Sequence, residues 1–574
     1  MRSEERLDHY ASRATVLRGA QRETMFDTVT LKFTETPDIV VPSKGITIFV
    51  GPNNSGKSLV LKEIEQAFVV HPFPAALRIL KEYEVQWPTA DALEASLSSY
   101  TRPHQGNIPA GHAVVGSINP NGGVDEITID TVFLRGIAAD HSDKHWFTTQ
   151  FLRWGVIRLD GRSRFNLTND QPAGDILGPP GNILAHLFRD EAARQKVRAI
   201  VKDAFGLHFV VDPTNLGTFR IRLSRNEPPA DEQSLNQNAR EFHASAAHIK
   251  DASDGVQAFT GIVTAVLSGE YHTVLIDEPE AFLHPPLARK LGKHLATIAA
   301  ERRGSLMAST HSADFLMGCI QGSADVKVVR LEYSDGKSRG RMIDPKLLDA
   351  FFKRPLMRSA NVISGLFYDG VVVTESDNDR AFYSEIYHRL TLDKPDYPSI
   401  LFVNAQNKQT IRDMVGPLRQ FGVPAVAVAD IDFVKDGGKN FTEWLTAAQI
   451  PEALRQGFGT QRSAIDTCFK KTERDMKTEG GVALLTGADK EAAEHFFDQL
   501  ETWGIFIVRG GEVENWLPEL GVPGKKTDWA VAMLERLGSD PTDAAYVKPQ
   551  DDDVWAFMNR IVKWIKDPRR RGTG

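Results

Sequence analysis

Cysteine is scarce in this chain: Cys319 and Cys468 are the only two among 574 residues. That excludes a disulfide framework and a thiolate-bound structural zinc, and leaves both thiols as buried or incidental groups. Long apolar runs are missing too, since no stretch reaches the roughly 18 residues that a membrane span requires. The opening Met1-Arg-Ser-Glu-Glu-Arg6 carries no apolar signal region, so a cytoplasmic protein without a membrane partner is expected. Positive charge is not in excess: the formal balance is −7. This argues against a chain that coats nucleic acid non-specifically, while leaving room for a local basic surface. The most basic run, Lys563 to Arg571, is expected to be a frayed, solvated terminus. Internal repeats and long low-complexity tracts are absent. What remains, 41% hydrophobic and 25% charged residues, is ordinary globular composition, and the length predicts two to four domains.

The first motif with chemistry is Gly51-Pro-Asn-Asn-Ser-Gly-Lys-Ser58. It follows a β-branched apolar run, Ile46 to Val50, and precedes a helical pattern from Leu59 to Phe68. Strand, glycine-rich loop and helix together form a phosphate cradle. Gly51 and Gly56 let the backbone N–H groups of the loop, including those of Asn53, Asn54 and Ser55, curl around phosphates at a helix N-terminus. Lys57 reaches toward the β- and γ-phosphates of ATP, and Ser58 toward Mg²⁺. A matching second half is Thr273-Val-Leu-Ile-Asp-Glu-Pro-Glu280, an apolar strand ending in two acids. Asp277 is placed to hold Mg²⁺ through water, and Glu278 to polarise the attacking water. A further strand, Ser305 to Thr310, delivers His311 as a γ-phosphate sensor. Just before the helical run Ala258 to Leu267 lies Asp251-Ala-Ser-Asp-Gly-Val-Gln257. Asp160-Gly-Arg-Ser-Arg164 is a basic turn with no role legible in the sequence; nucleotide, nucleic acid and plain solvent are all open to it.

These elements together resemble the ABC-type ATPases of DNA maintenance, the group of the RecF and SMC proteins. Ser253, Gly255 and Gln257 match a divergent signature motif in which Asp254 replaces a glycine. The resemblance implies a nucleotide sandwiched between two heads, the Ser253 segment of one facing the Lys57 loop of the other. A homodimer or higher homo-oligomer is therefore expected.

From about residue 366 an alternation of strands and helices restarts, predicting a second parallel sheet with its site at the carboxyl ends of the strands. Gly370 to Glu375, Ser399 to Val403, Pro424 to Asp430 and Gly504 to Val508 read as strands, with helices over Asp377 to Leu390 and Gln409 to Phe421. Glu375 and Asp430 fall at strand ends. Asp432 lies two residues beyond Asp430, and Asp379 one helical turn beyond Glu375. Carboxylates crowded in this way repel one another unless a cation intervenes, and hard oxygen ligands favour Mg²⁺ or Mn²⁺. Phosphodiester chemistry is the usual use of such a cluster.

This E-x-x-x-D and D-x-D pattern resembles the Toprim domain of topoisomerases, primases and certain nucleases, with Ser376 standing where that family often has glycine. By the same resemblance Glu514 is an additional acid. Lys525 or Lys526 would supply positive charge to the transition state. An ABC-type ATPase followed by Toprim resembles the OLD (overcoming lysogenisation defect) family over residues 26 to 530. The expected architecture is α/β throughout. An N-terminal extension (1–25) precedes an ABC/RecF-like P-loop ATPase domain (26–350). That domain carries a large insert (about 70–245) read as a dimerisation region. A linker (351–365), a Rossmann-like Toprim nuclease domain (366–530) and a C-terminal helical tail (531–574) follow. The resemblance implies an ATP-binding, metal-dependent endonuclease acting on nucleic acid, DNA ahead of RNA. It also implies prokaryotic anti-phage defence, where a defence-system partner protein is conceivable. The rival readings are an ATP-driven binding module without cleavage, and a Toprim ribonuclease acting on tRNA. A topoisomerase would need a nucleophilic tyrosine, and none of the 10 tyrosines sits in a recognisable context.

Overall fold

Two sheets, one mainly and one wholly parallel, organise the molecule, one in each of two compact units that divide the chain between Pro345 and Lys346. The computed structural model describes residues 26–104, 106–119, 123–177, 180–268, 271–301, 304–354 and 362–573. The expected N-terminal extension 1–25 and part of the expected linker, 355–361, lie outside the described residues.

In the first unit the central elements are β1 (Gly45–Val50), α1 (Lys57–Val69), β2 (Val156–Leu159), α2 (Asp254–Leu267), β3 (Thr273–Asp277), α3 (Pro285–Glu301), β4 (Ser305–Ser309), β5 (Val326–Ser334) and β6 (Lys337–Ile343). They form a six-stranded sheet in the order β6-β5-β1-β4-β3-β2. Only the β5–β6 pairing is antiparallel; the others are parallel. Strands β1, β3 and β4 are buried nearly throughout, as continuous apolar runs require when both faces of a sheet are covered. Because Asp277 registers with Ser309, and Ser309 with Phe49, the three strands end on one edge. One buried carboxylate sets the local frame. Glu63 of α1 accepts main-chain N–H bonds from Arg78, Ile79 and Leu80 at 2.6, 2.8 and 2.8 Å, fixing the chain beside the glycine-rich loop.

Around this sheet the expected insert supplies an antiparallel hairpin (His112–Ile118 with Val124–Asp130), the helix Glu191–Phe205, and a pair of strands (His208–Asp212 with Thr218–Ser224).

The second unit carries β7 (Gly370–Thr374), α4 (Asp377–Thr391), β8 (Ile400–Asn404), α5 (Lys408–Gln420), β9 (Ala425–Asp430) and β10 (Ile505–Val508). The sheet order is β8-β7-β9-β10, parallel throughout. Right behind it packs the helix Asp553–Lys566, whose Trp555, Met558 and Ile561 are fully buried against Val372, Tyr383 and Phe506. Burying each such side chain stabilises by about 1.5–3 kcal/mol. The basic run departs only in part from the solvated terminus expected of it, since Lys563, Lys566, Arg569 and Arg571 are exposed. Trp564 and Ile565 are core residues, the guanidinium of Arg419 stands over the Trp564 ring, and Arg419 also donates to the Gly572 carbonyl at 3.3 Å. The apolar period of that helix, rather than its charge, decides where it sits.

Candidate functional sites

At the end of β1 the glycine-rich loop takes the backbone shape of an anion cradle. Gly51, Asn54 and Gly56 all have positive φ, at 146°, 61° and 96°. At Gly56 the positive φ favours glycine, and a Cβ there would displace the tip of the Ile79 side chain, 2.7 Å away. Lys57, 5% exposed, opens α1 and donates to the buried Ser55 hydroxyl at 3.3 Å. Burial lowers its pKa to about 8, against the opposing pull of Glu278, Glu280 and Asp277. A buried lysine facing three acids at a helix N-terminus fits the terminal phosphates and Mg²⁺ of a nucleotide.

Asp277 is held by the hydroxyl of Ser309, which donates to its Oδ1. Glu278 follows with φ 49°, a left-handed conformation unusual for a residue with a side chain. His311 Nε2 lies 3.7 Å from Glu278 Oε1. Burial, reinforced by the charge of Lys57, holds the His311 imidazole below its usual pKa. Glu280, outside the expected site, accepts from the His311 N–H at 2.7 Å, and burial raises its carboxyl pKa. Its Oε2 is buried without a hydrogen-bond partner. Lys57, Asp277, Glu278 and His311 are thus brought together. Ser253 caps α2 with an exposed side chain that makes no capping bond, while Gln257 is turned back onto the Ala252 carbonyl at 3.0 Å. The Asp160–Arg164 turn also gains a partner. Arg164, 0% exposed, donates to the carbonyls of Asp277 at 2.6 Å and Glu278 at 3.0 Å.

In the second unit the acids converge at the carboxyl edge of the sheet. Glu375 follows directly on β7, Asp430 ends β9, and Asp432 follows in a short 3₁₀ turn. Burial, then the charges of Asp430 and Asp432, raises the pKa of Glu375. Asp430 is raised by burial and by Asp432 and Glu514. Asp379 is pushed up to about 7 by burial and Asp430. One of its oxygens is engaged locally. Asp379 Oδ2 accepts from the Ser376 N–H at 2.9 Å and Ser376 Oγ accepts from the Asp379 N–H at 3.3 Å, a capping box that starts α4. A glycine at position 376 would have no side chain with which to form that box.

Two lysines that sequence reasoning missed thread into the cluster. Lys477 Nζ lies 2.7 Å from Asp430 Oδ2 and 3.9 Å from Glu512 Oε2. Lys408 Nζ lies 3.2 Å from Asp432 Oδ1 and 3.5 Å from Asp436 Oδ2. Against the cost of burial, Asp430 raises the pKa of Lys477 well above the usual lysine value. The backbone of Lys477 is seated: Asn515 Nδ2 donates to its carbonyl at 3.1 Å, and a Cβ on Gly511 would stand 2.1 Å from the same oxygen. Glu514 is drawn to the cluster but spends Oε1 on the Lys526 N–H at 2.8 Å. Lys525 is exposed at the start of the helix Lys526–Leu537, its charge acting on Glu512.

Among the described residues no group of three or more Asp, Glu, His or Cys side chains stands in a metal-ligating arrangement. The donor set nevertheless suits a hard cation. It is all oxygen, burial and acidic neighbours raise the pKa of Glu375 and of Asp430, and Glu375 Oε2 is buried without a hydrogen-bond partner.

Residues 191–318 match the family described as "AAA domain, putative AbiEii toxin, Type IV TA system", and residues 366–432 match "Overcoming lysogenization defect protein-like, TOPRIM domain". The first match takes in residues 191–245, which the sequence reading assigned to the insert. Two relatives are nucleases by name. The Old nuclease of Escherichia phage P2 is 23% identical over 397 residues, covering 66% of this chain and 64% of that protein. The OLD nuclease of Thermus scotoductus is 23% identical over 444 residues, covering 69% and 79%. Among solved structures, the SMC head domain from Thermotoga maritima aligns at 12% identity with a TM-score of 0.29, covering 56% of this chain and all of that one. Among the described residues no helix is long and apolar enough to cross a membrane.

Proposed function

We propose that this chain, which joins an AAA-type ATPase domain to a TOPRIM domain of the overcoming-lysogenisation-defect type, is a nucleotide-controlled, divalent-metal-dependent nuclease. The observation that carries the reading is the convergence of Glu375, Asp430 and Asp432 at one sheet edge. Their mutual repulsion there is balanced only in part by Lys477 and Lys408.

Glu375, Asp430 and Asp432 would hold Mg²⁺ or Mn²⁺, which when bound supplies Lewis acidity and an activated water for phosphodiester hydrolysis. Asp379 anchors the first turn of α4, and so fixes the strand-to-helix connection on which Glu375 stands. Lys477 and Lys408 keep the acids apart and bring positive charge to the place a phosphodiester would occupy. In the other domain the loop N–H groups and Lys57 bind the phosphates of ATP. Ser58 and, through water, Asp277 would hold its Mg²⁺, Glu278 would polarise the attacking water, and His311 would contact the terminal phosphate. The exposed, uncapped Ser253 hydroxyl faces outward, as it must if it completes the nucleotide site of a second copy. Nucleic acid, DNA ahead of RNA, is the substrate, and prokaryotic defence against phage is the setting the resemblance implies.

The test is cleavage of supercoiled plasmid and of total tRNA with Mg²⁺ or Mn²⁺, with and without ATP. Metal-dependent cutting of plasmid supports the reading. Cutting confined to tRNA moves the substrate to RNA, and ATP turnover with no cutting of either moves the chain to an ATP-driven binding module.

A further inference from the structure

We infer that the Asp160–Asn166 turn, acting through Arg164, positions the hydrolytic Glu278 and ties it to the Ser253–Gln257 segment. The inference rests on the ATPase reading above.

A fully buried guanidinium is costly unless its donors are satisfied. Those of Arg164 go to main-chain carbonyls rather than to a carboxylate: Asp160 at 2.9 Å, Asp277 at 2.6 Å and Glu278 at 3.0 Å. The fork therefore grips the backbone that carries the two Mg²⁺-side acids and leaves their side chains available for chemistry. Glu278 is the residue most in need of a grip, since its left-handed φ of 49° persists only where the surroundings impose it. Its carbonyl is held by Arg164, and its N–H by the Ser309 carbonyl at 3.0 Å.

The same turn is locked to the signature segment from the other side. A Cβ at Gly261 in α2 would lie 2.0 Å from the Arg164 carbonyl, so the helix lies directly on the turn. A Cβ at Gly255 would lie 2.8 Å from the Phe282 carbonyl, four residues past Glu278. Phe282 packs edge-on against Phe165 with centroids 5.1 Å apart. Lys250 Nζ bridges these parts, donating to the Phe165 carbonyl at 3.2 Å, the Thr168 hydroxyl at 3.0 Å and Gln257 Oε1 at 3.4 Å. Contact is continuous from the segment that would meet the nucleotide of a second copy to the backbone of the residue that activates water. A displacement of α2 when two heads engage must move Arg164, and with it Glu278. Arg164 is thus a positioning residue for hydrolysis, and the turn is the path by which docking in trans is felt in cis.

The experiment measures ATP turnover and binding of a fluorescent ATP analogue by the full chain, for wild type, Arg164→Met, Arg164→Lys, Ser253→Ala and the Arg164→Lys/Ser253→Ala double variant. Arg164→Met should lower kcat roughly 100-fold, the scale of a small misplacement of a catalytic group, with KM and analogue affinity within about threefold of wild type. Arg164→Lys, which can still donate to a carbonyl, should recover part of that loss. In the double variant the loss should be smaller than the product of the two single losses, the signature of coupled sites. Wild-type turnover in Arg164→Met overturns the inference. So does a loss of analogue binding that parallels the loss of kcat in both Arg164 variants, which would mark a purely structural role. Multiplicative losses in the double variant overturn the link to Ser253 even if Arg164→Met fails to fold. A wild type that binds but never turns over ATP overturns the ATPase reading itself, and this inference with it.

Discussion

The two sites handle charge in opposite ways. At the end of β1 a buried cation, Lys57, is set among acids, and the loop that leads to it turns left-handed at Asn54 and Gly56. At the end of β7 and β9 the acids come first, and lysines from distant parts of the unit hold them in check. The first arrangement is contiguous in sequence because a loop and a helix N-terminus are enough to build it. The second is assembled from β7, β8, β9 and the segments around Lys477 and Glu512. A phosphate cradle can thus be written in eight residues, whereas a balanced acidic site needs a whole sheet.

The largest effect that separates the two sites should come from Asp430→Ala, which removes the acid that Glu375, Asp379 and Lys477 all sense. Metal-dependent cleavage should fall by roughly 1000-fold or more, read as the rate of plasmid nicking. Lys57→Met should weaken binding of a fluorescent ATP analogue by about 100-fold and leave metal binding to the second unit unchanged, as measured by calorimetry.

Lys57 also gives the nucleotide site a pH dependence of predictable sign. Its pKa in the folded chain is about 8, below the usual 10.5. Above pH 8 the free site has lost that proton, and binding phosphates must take it back. Affinity should therefore be flat below about pH 7.5 and weaken by up to roughly tenfold per unit above 8. The slope should vanish in Lys57→Met. The sign for stability is the same linkage: a lowered lysine pKa makes the nucleotide-free fold gain stability as pH rises through 8 toward 10.5.

The ATPase half was the more legible one. The glycine-rich loop, Asp277-Glu278 and His311 fall at strand ends that parallel pairing brings to one edge, so the periodicity of the strands was sufficient to bring them together. The strand-end acids of the second unit were legible for the same reason. What the sequence concealed are side chains whose roles are set by tertiary neighbours. Arg164 reads as one more basic residue in a turn, and nothing local says that it is buried under the end of β3. Lys477 lies in an irregular stretch, and only the seat formed by Gly511 and Asn515 places it on Asp430. Lys408 carried a faint signal, since it follows β8 at the same edge as the acids. Asp379 carries two signals, since its spacing from Glu375 suits a ligand and its spacing from Ser376 suits a capping box. The basic terminus is solvated on one side only: Lys563, Lys566, Arg569 and Arg571 are exposed, while the apolar period of Trp555, Met558 and Ile561 continues through Trp564 and Ile565 into the core.

Smaller effects sharpen the contrast. Lys477→Met should destabilise the metal-free chain by about 1–2 kcal/mol, between the values for an exposed and a buried pair, by leaving Asp430 without its counter-charge. Added Mn²⁺ should then raise the melting temperature of this variant more than that of wild type, read by scanning fluorimetry. Asp379→Ala should cost about 1 kcal/mol through loss of the capping box, and Asp379→Asn only a few tenths, because the amide oxygen can still accept from Ser376.

The most direct measurement runs both sites in one preparation: Mn²⁺-dependent nicking of supercoiled plasmid and ATP-analogue binding, by wild type and Asp430→Ala side by side. The prediction is nicking by wild type, none by Asp430→Ala, and equal nucleotide affinity in both. Nicking that survives in Asp430→Ala would contradict the assignment of the carboxylate cluster as the nuclease site.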